Sequence, residues 1–500
     1  MFFNTKNTAV ILIVCAVCSF AQSRPFPQAG KNGFIGTVIK PSNRTQDQLN
    51  QDVTKIYDSY KSRFHTQSGN KHYIKATGNG EPEDYPSGCY KKELTISEAH
   101  GYGMIIFALM AGYDKDAKTI FDGMNELRKA QKATGNSNLM SWVVCNINAN
   151  GQVGGSATDG DLDNAYALLL AYKQWGDSKY LNDATTLINA IKSSEMHGSP
   201  YYRTNLGDWN KSGNATRSSD WMPGHFRAFR EATGDAFWSQ AADTVYNLLA
   251  QCSNPTTGLI PDFAKGQPAK ADPTAGGTGE DDADKYSYNA CRDPWRLALA
   301  YAHHGDAKAK SQIDKISAWL RGSSGAKGEP NNIKAGYYLN GNVLNEWSEI
   351  IFTAPFASGM IADKANQSFL DKTYGTIRTA SSSNNEYATA LQLLNVLLIS
   401  GNWWAPYSSG STPIVFEKLN QVKNAGVTVS KSGINLNIPD EKVVQVKISD
   451  TKGRLLLNKD ITLNSGVASL NFPSSMTKSQ LLILNVKGKN GLNVSQKILP

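Results

Sequence analysis

The sequence predicts an all-α (α/α) six-hairpin barrel, a toroid, followed by a small all-β antiparallel sandwich. Three observations carry that reading. Around twelve segments between Gln46 and about Ser400 repeat apolar residues at helical spacing, mostly in pairs with short connections. In the later pairs the first helix is the more apolar, as expected if it lines an inner ring and its partner covers it outside. From residue 416 onward the period falls to two, in short runs separated by Gly, Asn, Asp and Pro. A solenoid would want a fixed repeat length, which these pairs lack.

Taken in order, the 500-residue chain opens with Lys6 and the apolar run TAVILIVCAVCSFA, with small Ser19 and Ala21 placed for cleavage. Residues 1–21 read as a secretory signal peptide. The run is shorter than the roughly 20 apolar residues of a spanning helix. The expectation is a secreted or cell-surface monomer with no membrane span.

The large domain, 22–405, holds the hairpins. ISEAHGYGMIIFALMAG precedes DAKTIFDGMNELRKAQ, DNAYALLLAYKQWG precedes SKYLNDATTLINAIKSS, and NACRDPWRLALAYAHHG precedes AKAKSQIDKISAWLRG. Several hairpins turn on Gly-Asp or Gly-Tyr-Asp, which pairs a helix C-cap with the next N-cap. Long loops around 68–92, 134–156, 196–218 and 262–286 are where a helical scaffold builds a site. A linker, 406–415, leads to the strand runs VTVSKSG, INLNIP, VVQVKISD, RLLLNKDITL, ASLNF, LLILNVKG and LNVSQKIL of the second domain, 416–500.

Charge and cysteines narrow the partners. The net charge is +8, but residues 416–500 carry 12 Lys and Arg against 5 Asp and Glu. The large domain is therefore near neutral, and no nucleic acid is expected as a partner. Beyond the leader the chain keeps Cys89, Cys145, Cys252 and Cys291. Four cysteines allow three pairings, and one or two bridges or none fit equally.

Three acidic stretches can carry chemistry. In ATDGDLDNAYALLLAYKQW, Asp159, Asp161 and Asp163 crowd the start of an apolar helix. A calcium loop would want Gly and Glu where this chain has Asn164 and Leu170. Helix capping explains one of the three, most simply Asp163. In TISEAHGYGMIIF, Glu98 enters an apolar, aromatic helix, a setting that raises a carboxyl pKa and suits a general acid; capping is the competing reading. In GGTGEDDADKYSYNACRDPWR an acidic loop leads into a helix bearing Arg292 and Arg296. All three open helices assigned to the inner ring, so they converge on one rim. The loop aromatics Trp142, Trp209, Trp221, Tyr286 and Tyr288 would add flat faces there. Carboxylates beside aromatic faces suit a sugar chain.

At these residues the chain resembles glycoside hydrolase family 8, over roughly residues 30–405. ATDGDLDNAYALLLAYKQW looks like the family signature, departing mainly at Asn164. SEAHGYGM resembles the segment that carries the proton donor, with Ala99 and His100 as variations. YSYNACRDPWR and GNWWAP resemble two later family segments.

The resemblance implies an (α/α) barrel and an inverting endo-β-1,4-glycanase that needs no metal or cofactor. It implies Glu98 as general acid and Asp159 as the residue that holds and distorts the sugar. The base position of many members is Asn289 here, which cannot accept a proton. Members with Asn there carry a Glu in the preceding loop, which points to Glu280, with Asp281, Asp282 and Asp284 in reserve. Trp142, Asp161, Trp221, Tyr288, Asn289 and Arg292 are expected to bind substrate.

The expected substrate is a β-linked glucan of cellulose or lichenan type, with chitosan as the alternative. A glycan-binding protein that has lost its base is the alternative from another class. A terpenoid-cyclase-like toroid lacks the metal-binding constellations it would need. The tail resembles a C-terminal sorting domain of the type IX secretion system, which implies that machinery as a partner. A carbohydrate-binding module is the rival, but residues 416–500 contain no Trp or Tyr to stack on sugar.

Overall fold

A computed structural model describes residues 22–76, 94–147, 154–210, 214–276, 281–381, 385–407, 427–430, 433–438, 441–450, 454–472, 482–488 and 493–498. The chain divides into two compact units, Met1–Val415 and Phe416–Pro500.

Among the described residues, twelve α-helices build the first unit: α1 (Gln46–Phe64), α2 (Ser97–Met110), α3 (Ala117–Ala130), α4 (Thr158–Trp175), α5 (Ser178–Ser194), α6 (Pro223–Thr233), α7 (Phe237–Cys252), α8 (Asp293–His304), α9 (Ala307–Arg321), α10 (Ile350–Met360), α11 (Gln367–Thr379) and α12 (Glu386–Ile399). Helices α2, α4, α8, α10 and α12 are buried on nearly every face, whereas α3, α5, α6, α7, α9 and α11 bury one face. That division follows from composition: an all-round apolar helix such as MIIFALM must be covered, and an amphipathic one can do the covering. Helix α2 packs on α4, α4 on α6, α6 on α8, α8 on α10, α10 on α12, and α12 returns to α2.

The hairpin turns follow the spacing in the sequence. Gly176, Gly234 and Gly305 end α4, α6 and α8 with positive φ, which a Cβ would oppose. Asp177 and Asp306, one residue on, accept the first free N–H groups of α5 and α9.

Residues 23–42 run as a strap across the C-terminal ends of the buried helices. Backbone hydrogen bonds tie Ser23 to Gln174, Phe26 to Ala111, Ile35 to Ala302 and Ile39 to Ile361, and the Asn402 side chain accepts from the Gln28 backbone. One floor therefore collects these C-termini, and the opposite rim collects the N-termini of α2, α4, α8, α10 and α12.

The second unit is all-antiparallel. Strand 443–450 pairs with 455–462 and 482–488, and the latter with 493–498; strand 433–437 pairs with 427–430 and 467–471. Ile434, Leu436, Val444, Val446, Ile448, Leu484 and Val486 alternate inward to form its core.

Cys145 is disulfide-bonded, while Cys252 and Cys291 are free and buried. Cys89 lies outside the described residues. No described helix is long and apolar enough to cross a membrane.

Candidate active site

Two glycines bring the first two acids together. A Cβ on Gly101 would run into Asp163 and the Gly160 carbonyl, and one on Gly160 would run into Ser97. Helices α2 and α4 therefore cross with backbones in close approach at their N-terminal ends. Glu98, beside Ser97, and Asp159, beside Gly160, meet side chain to side chain and share a hydrogen bond.

Arg292, in the 3₁₀ turn Ala290–Arg292 before α8, ties this pair to the rest of the rim. Its Nη1 donates to Glu98 and, at 2.8 Å, to Asp159 Oδ2, and its Nη2 donates to Ser219 Oγ at 2.8 Å and Asn289 Oδ1 at 3.0 Å. Arg217 Nη2 holds Asp159 Oδ1 at 2.9 Å, and its Nε holds Asp220 at 3.0 Å. The two arginines face Asp159 from opposite oxygens.

These contacts separate the two acids. Burial pushes the Glu98 carboxyl up to about 8, and Asp159 adds to the rise against the pull of Arg292. Burial opposes ionisation of Asp159 too, yet Arg217 and Arg292 hold it well below the usual carboxylate range. The outcome is a protonated Glu98 hydrogen-bonded to an ionised Asp159, one group able to give a proton and one able to stabilise positive charge.

Asn289 is built in as a bridge. Its Nδ2 donates to Asp262 Oδ2 at 3.2 Å while its Oδ1 accepts from Arg292. Asp262 also accepts the backbone N–H groups of Ser287, Asn289 and Ala290, at 2.8, 3.0 and 2.7 Å. Burial raises Asp262 to about 7 even against these donors.

The family model for glycosyl hydrolases family 8 matches residues 48–401. The chain belongs to that family, and it is a glycoside hydrolase. Among relatives of this family 8 enzyme, a beta-glucanase of Niallia circulans is 38% identical over 412 residues, 79% of this chain and 95% of that protein. An endoglucanase of Bacillus sp. (strain KSM-330) is 35% identical over 433 residues, 83% and 90% of the two chains. The apo structure of a beta-1,3-1,4-glucanase from Paenibacillus sp. X4 superposes with a TM-score of 0.70 at 37% identity, covering 77% of this chain and all of that one.

The other expected site residues of the family 8 enzyme fall into three groups. Tyr288 is 38% exposed, Asn289 is half-buried, and half-buried Trp142 hydrogen-bonds through its backbone to Ser97 and Gly155. Glu280 lies outside the described residues. Of its reserves, Asp281 is exposed, whereas Asp282 and Asp284 pair with Lys285.

Four expectations need correction. Trp221 is only 3% exposed, with its indole N–H on Thr216 Oγ1 at 2.9 Å, so it belongs to the wall and offers little face to a sugar. Tyr286 is likewise fully buried, stacked on Phe356. Asp161 is buried, accepts the Met140 N–H at 3.1 Å and lies against Glu195; it shapes the loop and does not reach the cleft. Asp163 does not cap α4, which begins at Thr158; it is gripped by both Nη atoms of Arg296, at 2.8 and 2.6 Å, and by His225 at 2.8 Å.

The sequence reading missed Arg217, Ser219, Asp220, Asp262 and Glu195. A signal existed for two of them: Arg217 and Asp220 stand three apart in TRSSDW, a spacing that lets a guanidinium reach a carboxylate on one turn.

Proposed function

We propose that this protein is an exported, inverting endo-β-glucanase built on a closed (α/α)6 barrel, acting on β-glucan of the cellulose or lichenan type. The observation that carries the reading is the pairing of Glu98 with Asp159, held by Arg217 and Arg292 at the rim where the buried helices begin, an arrangement that raises the one carboxyl and lowers the other. The names of the 38% and 35% identical relatives and of the Paenibacillus structure support the substrate class.

Glu98 gives its proton to the leaving glycosidic oxygen. Asp159 holds the sugar at the cleavage point and stabilises the positive charge that develops on its ring. Glu280 takes the proton of the attacking water from the opposite face, which requires roughly 6.5 to 9.5 Å between acid and base. Arg292 positions both acids, and Asn289 and Tyr288 border the same cleft. The tail would serve export as a sorting domain, in keeping with its two antiparallel sheets and its lack of Trp and Tyr.

Following anomeric configuration by NMR during cleavage of a defined β-glucan oligosaccharide tests the mechanism. The first product must carry the anomer opposite to the substrate bond; retention overturns it. Glu280→Gln should lose at least ~100-fold in kcat, as removal of a general base does. Rates on lichenan, carboxymethylcellulose and chitosan decide the substrate, and fastest cleavage of chitosan would favour the acidic 281–284 loop as a polycation site.

A further inference from the structure

We propose that Trp347, Tyr288 and Glu349 form a sugar-binding platform that grips the glucan chain beyond the cleavage centre. The proposal rests on the glucanase reading above and adds a site in the segment before α10.

Among the described residues, tryptophans of this protein are mostly internal: Trp238, Trp295, Trp403 and Trp404 are essentially inaccessible. Trp347 instead exposes 53% of its surface. An exposed indole would ordinarily be free to turn, yet this one is held by its edge, with Nε1 donating to Glu349 Oε1 at 3.0 Å. The Tyr288 hydroxyl, raised first by burial, lies close enough to Trp347 and Glu349 for the carboxylate to raise it further. Glu349 stands at the N-cap of α10 but makes no side-chain bond to that helix. Its carboxylate holds the Trp347 edge, while the Tyr288 ring is braced edge-on by Phe352 and still 38% exposed.

The backbone fixes where the platform sits. Tyr286 and Tyr337 exchange both backbone hydrogen bonds, at 2.9 Å each, and the Ala335 N–H donates to the Trp347 carbonyl at 2.9 Å. The segment carrying Trp347 is thereby joined to the one carrying Tyr288. Tyr288 in turn precedes Asn289, the partner of Arg292, and its carbonyl accepts from the Tyr387 hydroxyl at 2.9 Å. The platform lies between the entries of α8 and α10, joined to the acid pair through Asn289 and Arg292.

The chemistry suits a β-glucosyl unit. Such a ring presents an axial C–H face to a flat indole and equatorial hydroxyls to a carboxylate edge. Glu349, already aligned by the Trp347 N–H, keeps lone pairs for a sugar hydroxyl.

Affinity electrophoresis through gels containing barley β-glucan tests this without catalysis. In an acid-dead Glu98→Gln background the protein should be retarded, Trp347→Ala should weaken retardation roughly tenfold in apparent Kd, about the value of one good stacking contact, and Trp347→Phe should keep most of it. In the active enzyme Trp347→Ala should raise KM on polymer more than it lowers kcat. Equal retardation of Trp347→Ala and its parent, or no retardation of either, overturns the platform. Failure of the wild type to cleave any β-glucan would instead overturn the glucanase reading, while the gel assay still reports on the platform.

Discussion

Asp159 and Asp161 stand two residues apart in the first turn of α4, both enclosed, and their carboxyls are pushed in opposite directions. Asp159 meets Arg217 and Arg292 and is held ionised. Asp161 meets Glu195; burial raises it to about 7, and Arg128 counters this without contact. Neither Asp161 Oδ2 nor Glu195 Oε2 finds a hydrogen-bond donor, and burial with Asp161 beside it raises Glu195 well above the usual carboxylate range too, so the pair keeps protons that exposed carboxyls would release. The helix supplies only position. The pull on each acid is decided by what distant loops place against it: two guanidiniums hold Asp159 down, whereas burial raises Asp161, with no guanidinium in contact to offset it.

The sharpest way to break this contrast is to remove the proton that Glu98 carries. Glu98→Gln keeps the shape and the hydrogen bond to Asp159 but has no acid to give; kcat should fall roughly 10²–10⁴-fold with KM little changed, read by reducing-sugar release. A variant within tenfold of wild type would show that another group protonates the leaving oxygen.

Asp159→Asn comes next. It leaves two arginines facing a neutral amide, and kcat should fall about 100-fold. It also removes a charge that raises Glu98, so the basic limb of the pH–rate profile, set in the wild type by loss of the Glu98 proton near pH 8, should move to lower pH. A limb that stays put or moves upward would mean that Asp159 is not ionised beside Glu98.

A smaller effect is expected at Asn289. Replacing it with Asp offers the usual family base, yet the new carboxylate would face Asp262 where an amide now donates at 3.2 Å. Asn289→Asp should therefore lose about tenfold in kcat/KM, of the order of one broken buried hydrogen bond, and Asp262→Asn should restore part of it. A gain of activity in the single variant would show that the position is an empty base site and not a bridge.

These contrasts also show what the sequence could and could not disclose. The helices of the large unit were legible because apolar spacing and the Gly-Asp turns at 176, 234 and 305 are local signals. That Glu98 and Asp159 meet was foreshadowed because each sits in a recognisable motif at a helix start. The separation of Asp159 from Asp161 and Asp163 was not, since all three share one turn and differ only in partners 34 to 133 residues away: Glu195 for Asp161, Arg217 and Arg292 for Asp159, Arg296 for Asp163. Trp221 and Tyr286 misled for the same reason, as an aromatic in a loop segment carries no mark of what will cover it.

The least disruptive way to sharpen the comparison is Asp161→Asn. The amide can still accept from Met140 with its oxygen and can donate to Glu195 with its nitrogen, replacing a titrating proton by a fixed one. In the wild type the folded protein keeps the Asp161 proton up to about pH 7, while the unfolded chain releases it in the ordinary carboxylate range. The folded state then binds more protons between those limits, so stability falls as pH rises through that window. Asp161→Asn cannot titrate and loses this slope. The two proteins should melt at similar temperatures near pH 4, and the variant should melt progressively higher as pH approaches 8, with kcat unchanged because Asp161 does not reach the cleft. Buried acids such as Asp220 and Asp262 keep their own slopes in both proteins, and Glu195, itself raised well above the usual carboxylate range, still titrates in the variant, so the difference between the two melting curves is the diagnostic quantity. A difference independent of pH would mean that Asp161 is already ionised against Glu195, and the contrast with Asp159 would vanish.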